Sequence, residues 1–319
     1  KTASEARELF PTSAIDLIEM GAGRGDSTQI RGENLGVALT KTAEILAREK
    51  PDIVLVHADR GEHLMVAFAA LNLGIPVAHT QGGDVSGNID DVQRHAISKL
   101  AHIHFPETRR AAARLRTLGE EPWRIHVVGS TYIDRIVQKM YTPPDAAQNK
   151  YGLAPDESYY IVLFHPDTFE SRESNKTAMG TILGTITATG RRAIVVYPCS
   201  DPGYDGIIEA IEVRSTNPQF LIHRNIDNLD FLGLLAGATA LVGNSSSALV
   251  EAPYFKLPAI NIGKRQFGRE REGNVIDARA TPRALATALK RAEKDKTFRA
   301  GLARCGRRLG DGHAGEKIV

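Results

Sequence analysis

The stretch His79-Thr80-Gln81-Gly82-Gly83-Asp84-Val85-Ser86-Gly87-Asn88-Ile89-Asp90-Asp91 sets three glycines and three carboxylates between an apolar run and a helical pattern. Glycine lets a backbone fold tightly around a substrate. Carboxylates clustered in a cleft push one another's pKa values apart, which supplies separate acid and base roles. A calcium loop needs alternating acidic positions and a closing glutamate; Asp84, Asp90 and Asp91 have neither. Asp90 is also a natural N-cap for the helix that follows, and Arg94 and His95 on that helix read as structural.

Other polar residues follow apolar runs directly. They are Asp59-Arg60, His165-Pro166-Asp167, Cys199-Ser200-Asp201, Asn225, Gly243-Asn244-Ser245-Ser246-Ser247 and Gly263-Lys264-Arg265. In parallel α/β sheets ligands bind beyond the carboxyl ends of the strands, where the strand order reverses. A single such cluster is often only a polar turn, but this many from both halves point to a cleft between two domains. Gly243 to Ser247 precedes a helix expected to begin near Ser246, whose first N–H groups and dipole favour a phosphate. A serine N-cap is the plainer reading of the same residues. Glu251, one turn after Ser247, is placed to accept from ribose hydroxyls or is a solvated charge. Arg265, with Arg269 in the same loop, offers a guanidinium that holds a phosphate bidentately. His165, between an apolar strand and a proline, is a phosphate donor, a general acid or a satisfied loop histidine. No paired-histidine or His-x-Glu spacing marks a metal site. Arg24-Gly25-Asp26 resembles an adhesion tripeptide but reads as a loop.

Short apolar runs alternating with helical patterns must position these groups. Strands are expected at 53–56, 75–79, 102–105, 125–128, 159–164, 193–197, 220–222, 240–242 and 258–262. Helices are expected at 62–73, 89–101, 108–118 and 283–293. Continuous apolar strands between helices mean parallel sheets covered on both faces. The rhythm breaks at Thr142-Pro143-Pro144-Asp145 and Leu153-Ala154-Pro155-Asp156. The expected architecture is α/β, two doubly wound Rossmann-like domains facing across a cleft, at 1–145 and 146–319.

With 319 residues, 42% apolar and 24% charged, a folded core is within reach. The 40 basic and 38 acidic residues leave a formal charge of +2, which argues against a dedicated nucleic-acid binder. Two cysteines, Cys199 and Cys305, exclude a disulfide framework and a zinc ribbon and fit a reducing, cytoplasmic setting. No apolar run reaches the length of about 18 residues that a membrane span needs. The opening Lys1-Thr2-Ala3-Ser4-Glu5-Ala6 has neither methionine nor signal pattern and reads as the tail of a helix with chain upstream of it. The final Gly315-Glu316-Lys317-Ile318-Val319 reads as cut within a helix.

From about Pro51 onward the chain resembles the hydrolysing UDP-N-acetylglucosamine 2-epimerases, of glycosyltransferase-B-like architecture. The residues that carry the likeness are Asp59-Arg60, the Gly82 to Asp91 loop, Arg94-His95-Ala96-Ile97-Ser98-Lys99-Leu100, His165-Pro166, Gly243-Asn244-Ser245-Ser246, Glu251 and Gly263 to Arg269. The resemblance implies loss of UDP from a UDP-sugar to give a 2-acetamidoglucal, then addition of water to give N-acetylmannosamine. The catalytic set it implies is Asp59, Gln81, Asp84, Asp90 and His165. Arg60, His165, Ser245, Ser246 and Arg265 would hold the diphosphate and Glu251 the ribose, with Asn244 also in the substrate-binding set. It implies no cofactor and no metal, a UDP-sugar as the small-molecule partner, no nucleic acid or membrane, and a homodimer or homotetramer. Three departures stand out. Such relatives often carry glutamate at the position of Gln81, and an amide is no base; Asp84 replaces another glutamate. Cys199 falls where asparagine is usual. An arginine-containing phosphate loop expected near the start does not precede Leu9. Alternatives are an enzyme of UDP-N,N′-diacetylbacillosamine, a non-hydrolysing epimerase, and a nucleotide-sugar sensor without turnover.

Overall fold

The structure is a computed structural model that describes residues 15–20, 28–85, 89–167, 170–199, 201 and 203–319. The opening residues, Arg24-Gly25-Asp26, Ser86-Gly87-Asn88 and Ser200 lie outside the described residues. The chain divides into two compact units, Lys1–Val128 and Gly129–Val319.

In the first unit β1 (Val54–His57), β2 (Val77–Thr80) and β3 (Ile103–Phe105) form a parallel sheet in that order. β2 is buried at every position, as its central place requires. Helices Gly61–Asn72 and Ile89–Leu100 make the crossovers. Val56, Val77, Ala67, Ala70 and Ile97 form the core between sheet and helices, joined by Leu46 of the helix Thr28–Glu49. That long helix was not anticipated, although Leu35, Leu39, Ala43 and Leu46 lie at helical spacing. The run 125–128, expected as a strand, makes only one parallel bridge, His104 to Ile125. Its neighbour β3 runs into Pro106, which has no N–H to continue a ladder.

The second unit is a six-stranded parallel sheet. Its strands are β4 (Tyr159–Leu163), β5 (Arg192–Val196), β6 (Phe220–His223), β7 (Ala240–Gly243), β8 (Ala259–Ile262) and β9 (Val275–Ala278), in the order β6-β5-β4-β7-β8-β9. Its two faces carry separate cores: Tyr160, Val162, Ala193 and Val195 on one, Tyr159, Ile161, Leu163 and Ile194 on the other. Alternate residues of one apolar strand thus pack on opposite layers, the doubly wound pattern. β9 escaped the sequence reading because only Ile276 of its four residues is buried.

Ile133, Ile136 and Ala147 share a core with Ile161 and Leu234. The breaker-rich stretch at 141–158 therefore belongs to the second unit, and the division falls after Val128 rather than after residue 145. Pro144 does not separate domains; it opens the helix Pro144–Lys150, a position where a missing N–H costs nothing. No helix among the described residues is long and apolar enough to cross a membrane.

Candidate functional site

In the second unit the order of strands reverses between β4 and β7, and the residues leaving those two strands meet. Gly243, at φ +146°, ends β7 where a Cβ would collide with the Leu163 carbonyl oxygen. Only glycine permits this approach. Asn244, 1% exposed, then ties the two strand ends together. Its Oδ1 accepts from the His165 N–H at 2.7 Å and its Nδ2 donates to the His165 carbonyl at 2.9 Å. Both amide atoms are engaged with the His165 backbone, so Asn244 sets the turn rather than facing a ligand. Gln266, equally buried, donates to the Asn244 carbonyl at 2.7 Å and accepts from Arg269 at 3.0 Å, which fastens the loop after β8 to the same turn.

His165 is half-buried, and its Nδ1 accepts from the Cys199 N–H at 3.0 Å. Burial, helped by the Arg265 charge, lowers its pKa to about 4. The ring is neutral at pH 7, and with Nδ1 accepting, its proton sits on Nε2 as a donor. The half-buried Arg265 donates from Nη2 to Asp201 Oδ2 at 3.2 Å, and the Cys199 thiol donates to the same oxygen at 3.1 Å. Against the upward pull of burial, those two donors hold the Asp201 carboxyl below its usual range. Burial, with Asp201 beside it, keeps Cys199 a thiol.

The serine turn differs from the expectation. Ser246–Ala248 is a single turn of 3-10 helix, and Ser245 caps it by accepting from the Ser247 N–H at 3.3 Å. No α-helix follows, because Pro253 would stand inside it and lacks the N–H it needs. A single 3-10 turn supplies no α-helix dipole, so the turn offers a phosphate only small residues and donors at a sheet switch point. Glu251 is half-buried in the turns that follow, not on a helix face. Asn225 is exposed.

In the first unit the carboxyl ends of β1, β2 and β3 converge. Ala58 and Gln81, each one residue beyond its strand, have φ of 64° and 61°, a region costly for residues with a Cβ. Both are held. The Ala58 N–H donates to the Thr80 carbonyl at 3.2 Å and the Gln81 N–H to the Phe105 carbonyl at 3.2 Å. His79, fully buried, donates from Nε2 to the Ala58 carbonyl at 2.7 Å and has Ser98 Oγ 3.2 Å from Nδ1. Burial drives its pKa to about 4. Gly82 packs against this ring, where any Cβ would lie 3.0 Å from Nδ1.

Asp59 follows directly and is ion-paired with Arg94, whose side chain is 7% exposed; Arg94 thereby fixes the carboxylate. Arg60 is exposed and paired with Glu62 at 3.3 Å. Asp84 and Asp90 are half-buried on either side of 86–88. Asp90 lies in the first turn of a helix that begins at Ile89, so it is not the N-cap. Gln81 donates from Nε2 to Glu107 at 2.8 Å. Glu107 carries no signal in the sequence, and Gln266, part of the run that carries the likeness, shows its anchoring role only through tertiary contacts. A cavity of about 950 Å³ opens near the amino ends of β4 and β5, by Tyr160, Gly180, Gly184, Arg191 and Glu293; no predicted site residue lines it.

The two histidines set a pH dependence. With folded pKa values of about 4 against about 6.5 when unfolded, the unfolded chain binds more protons between those limits. Their stabilising contribution is complete above pH 6.5 and is lost as the pH falls to 4, by up to roughly 3 kcal/mol per ring. Thermal melts from pH 7 to 4.5 should show this decline. His165→Asn, whose Oδ1 can replace Nδ1 as acceptor, should lessen it in the second unit; an unchanged slope would contradict the assignment.

The family model for UDP-N-acetylglucosamine 2-epimerase matches residues 8–319. Over 258 residues the chain is 37% identical to the UDP-N,N′-diacetylbacillosamine 2-epimerase (hydrolyzing) of Legionella pneumophila, covering 81% of this chain and 68% of that one. Over 288 residues it is 33% identical to the UDP-N-acetylglucosamine 2-epimerase of Neisseria meningitidis serogroup B, covering 87% and 76%. A crystal structure of UDP-GlcNAc 2-epimerase from Neisseria meningitidis, bound to UDP-GlcNAc, aligns with a TM-score of 0.78 at 17% identity over 99% of this chain and 87% of that chain. That likeness shows the fold: two Rossmann-like domains of the glycosyltransferase-B-like kind. With a family match over nearly the whole chain and relatives above 30% identity, the chain belongs to the UDP-N-acetylglucosamine 2-epimerase family.

Proposed function

We propose that this chain is a hydrolysing UDP-sugar 2-epimerase that converts UDP-N-acetylglucosamine to N-acetylmannosamine and UDP. The observation that carries the reading is the cradle at the β4/β7 switch point. There a neutral His165 donor, the serine turn fixed by Asn244 and the Arg265 guanidinium gather donors without a carboxylate on the turn itself. Such a set suits a nucleoside diphosphate. In this reading His165, Ser245, Ser246 and Arg265 hold the pyrophosphate, with Arg60 assisting, and Glu251 takes the ribose. Asp59, Asp84 and Asp90 of the first unit face the sugar and share the proton transfers.

The reaction needs no cofactor. A base removes the C2 proton, the C1–O bond breaks as UDP leaves, and a 2-acetamidoglucal remains. Water then adds its hydroxyl at C1 and a proton at C2 from the opposite face. Water must be admitted in a controlled way rather than excluded, so a site that closes around the nucleotide fits. We further propose a homodimer in the cytoplasm.

A second substrate is favoured by the 37% identity to the Legionella pneumophila protein: UDP-N,N′-diacetylbacillosamine, a 6-deoxy diamino sugar, in the same reaction. Incubating each UDP-sugar and following free UDP separates the two. We expect release from both, with one preferred by about tenfold or more in kcat/KM, the discrimination a few altered contacts produce. A product that keeps its UDP would instead mark a non-hydrolysing epimerase. Thermal stabilisation by UDP without turnover of either sugar would mark a sensor and end the proposal.

A further inference from the structure

Glu107 is 9% exposed and leaves β3 at the same end at which Gln81 leaves β2 and Asp59 leaves β1. Its Oε1 accepts from the Gln81 amide at 2.8 Å. Among the described residues no lysine, arginine or histidine lies within ion-pair distance of it; the nearby His57, which also feels Asp59, is pushed by burial toward its neutral form. A buried carboxylate without a cation carries an uncompensated desolvation cost. Structure alone gives no reason for it. A glutamine at 107 would accept the same hydrogen bond from Gln81, with the same shape and no buried charge. The Gln81 backbone is meanwhile held in its left-handed conformation by the Phe105 carbonyl, so side chain and main chain of the loop are both pinned to the end of β3. Strained, over-determined residues of this kind collect at functional sites.

We infer that Glu107 is a catalytic carboxylate: it takes the proton from C2 of the sugar, a task the neighbouring Gln81 amide cannot perform. The inference rests on the epimerase reading above. In the elimination Glu107 takes the C2 proton, the C2–H electron pair becomes the second C1–C2 bond, and UDP departs with the electron pair of the broken C1–O bond. The C1=C2 electron pair then takes a proton at C2 from a carboxyl group among Asp59, Asp84 and Asp90, water bonds through its oxygen to C1 and gives its freed proton back to that group, and Glu107 releases its own proton to solvent. Gln81 orients the base by donating to Oε1, leaving Oε2 for the substrate.

The test compares wild type, Glu107→Gln and the exchanged pair Gln81→Glu/Glu107→Gln for UDP release, UDP affinity and melting temperature. Glu107→Gln should melt at or above the wild-type temperature and bind UDP within about threefold, yet lose about 10²-fold or more in kcat, the range for a lost acid–base group. The exchanged pair, with its carboxylate one hydrogen bond away, should regain about tenfold or more of that loss. Near-wild-type turnover in Glu107→Gln would overturn the inference. So would a loss that the exchange does not restore, which would mark a positioning role only. A wild-type chain that releases no UDP would instead overturn the epimerase reading, and the role of Glu107 with it.

Discussion

Asp59→Asn is expected to lose nearly all turnover while UDP still binds. The substitution keeps shape and one oxygen, so the left-handed Ala58 before it and the His79 ring that holds it are undisturbed. What is lost is the charge and proton capacity of a carboxylate fixed by a buried guanidinium. We expect kcat to fall about 10²- to 10⁴-fold, the span seen when a positioned acid–base group is removed. UDP affinity should stay within about threefold, since the proposed pyrophosphate cradle is built from the second unit and from Arg60, which the substitution leaves in place. Arg94 keeps an oxygen but loses its counter-charge, and breaking a buried pair costs roughly 3–5 kcal/mol. Melting temperature should therefore drop as well, and turnover is measured well below it. Normal turnover in this variant would remove Asp59 from the acid–base set.

The paired substitution Ser246→Ala with Arg265→Ala should do the reverse, weakening UDP first. A hydrogen bond to a charged group is worth about 1.5–3 kcal/mol, and a neutral one about 1 kcal/mol. Together they predict a rise in the UDP dissociation constant of about 10²- to 10³-fold, measured by titration calorimetry. Because Arg265 is half-buried and its partner Asp201 is 44% exposed, Asp201 resolvates when released, and the fold should lose little stability. At saturating substrate kcat should fall less than kcat/KM. An unchanged affinity would place the diphosphate elsewhere.

The fold is legible in the sequence where burial is strong and local. β4, β5, β7 and β8 announced themselves as continuous apolar runs because both faces of each are covered, and the groups after them could be picked out before any geometry was known. It is hidden where tertiary context decides. β9 has one buried residue and no apolar run to notice. The helix expected after Ser246 is refused by Pro253, and the proline-rich stretch near 144 turned out to begin a helix that packs into the second unit. Asn244 was legible as a site residue, but its engagement with the His165 backbone depends on β7 lying beside β4, which no spacing encodes. Glu107 is the clearest omission: it is 26 residues from Gln81, and only the parallel pairing of β2 and β3 brings the two side chains together.

The central claim is that the chain cleaves UDP from an amino sugar and inverts C2. A proton NMR time course with UDP-N-acetylglucosamine in heavy water reads bond cleavage, inversion and product identity at once. We predict loss of the UDP-linked anomeric signal, appearance of free UDP, and N-acetylmannosamine carrying deuterium at C2. A UDP-linked spectrum that stays unchanged, or UDP release with C2 neither inverted nor deuterated, would contradict this account for that sugar. The same result with UDP-N,N′-diacetylbacillosamine would contradict it altogether.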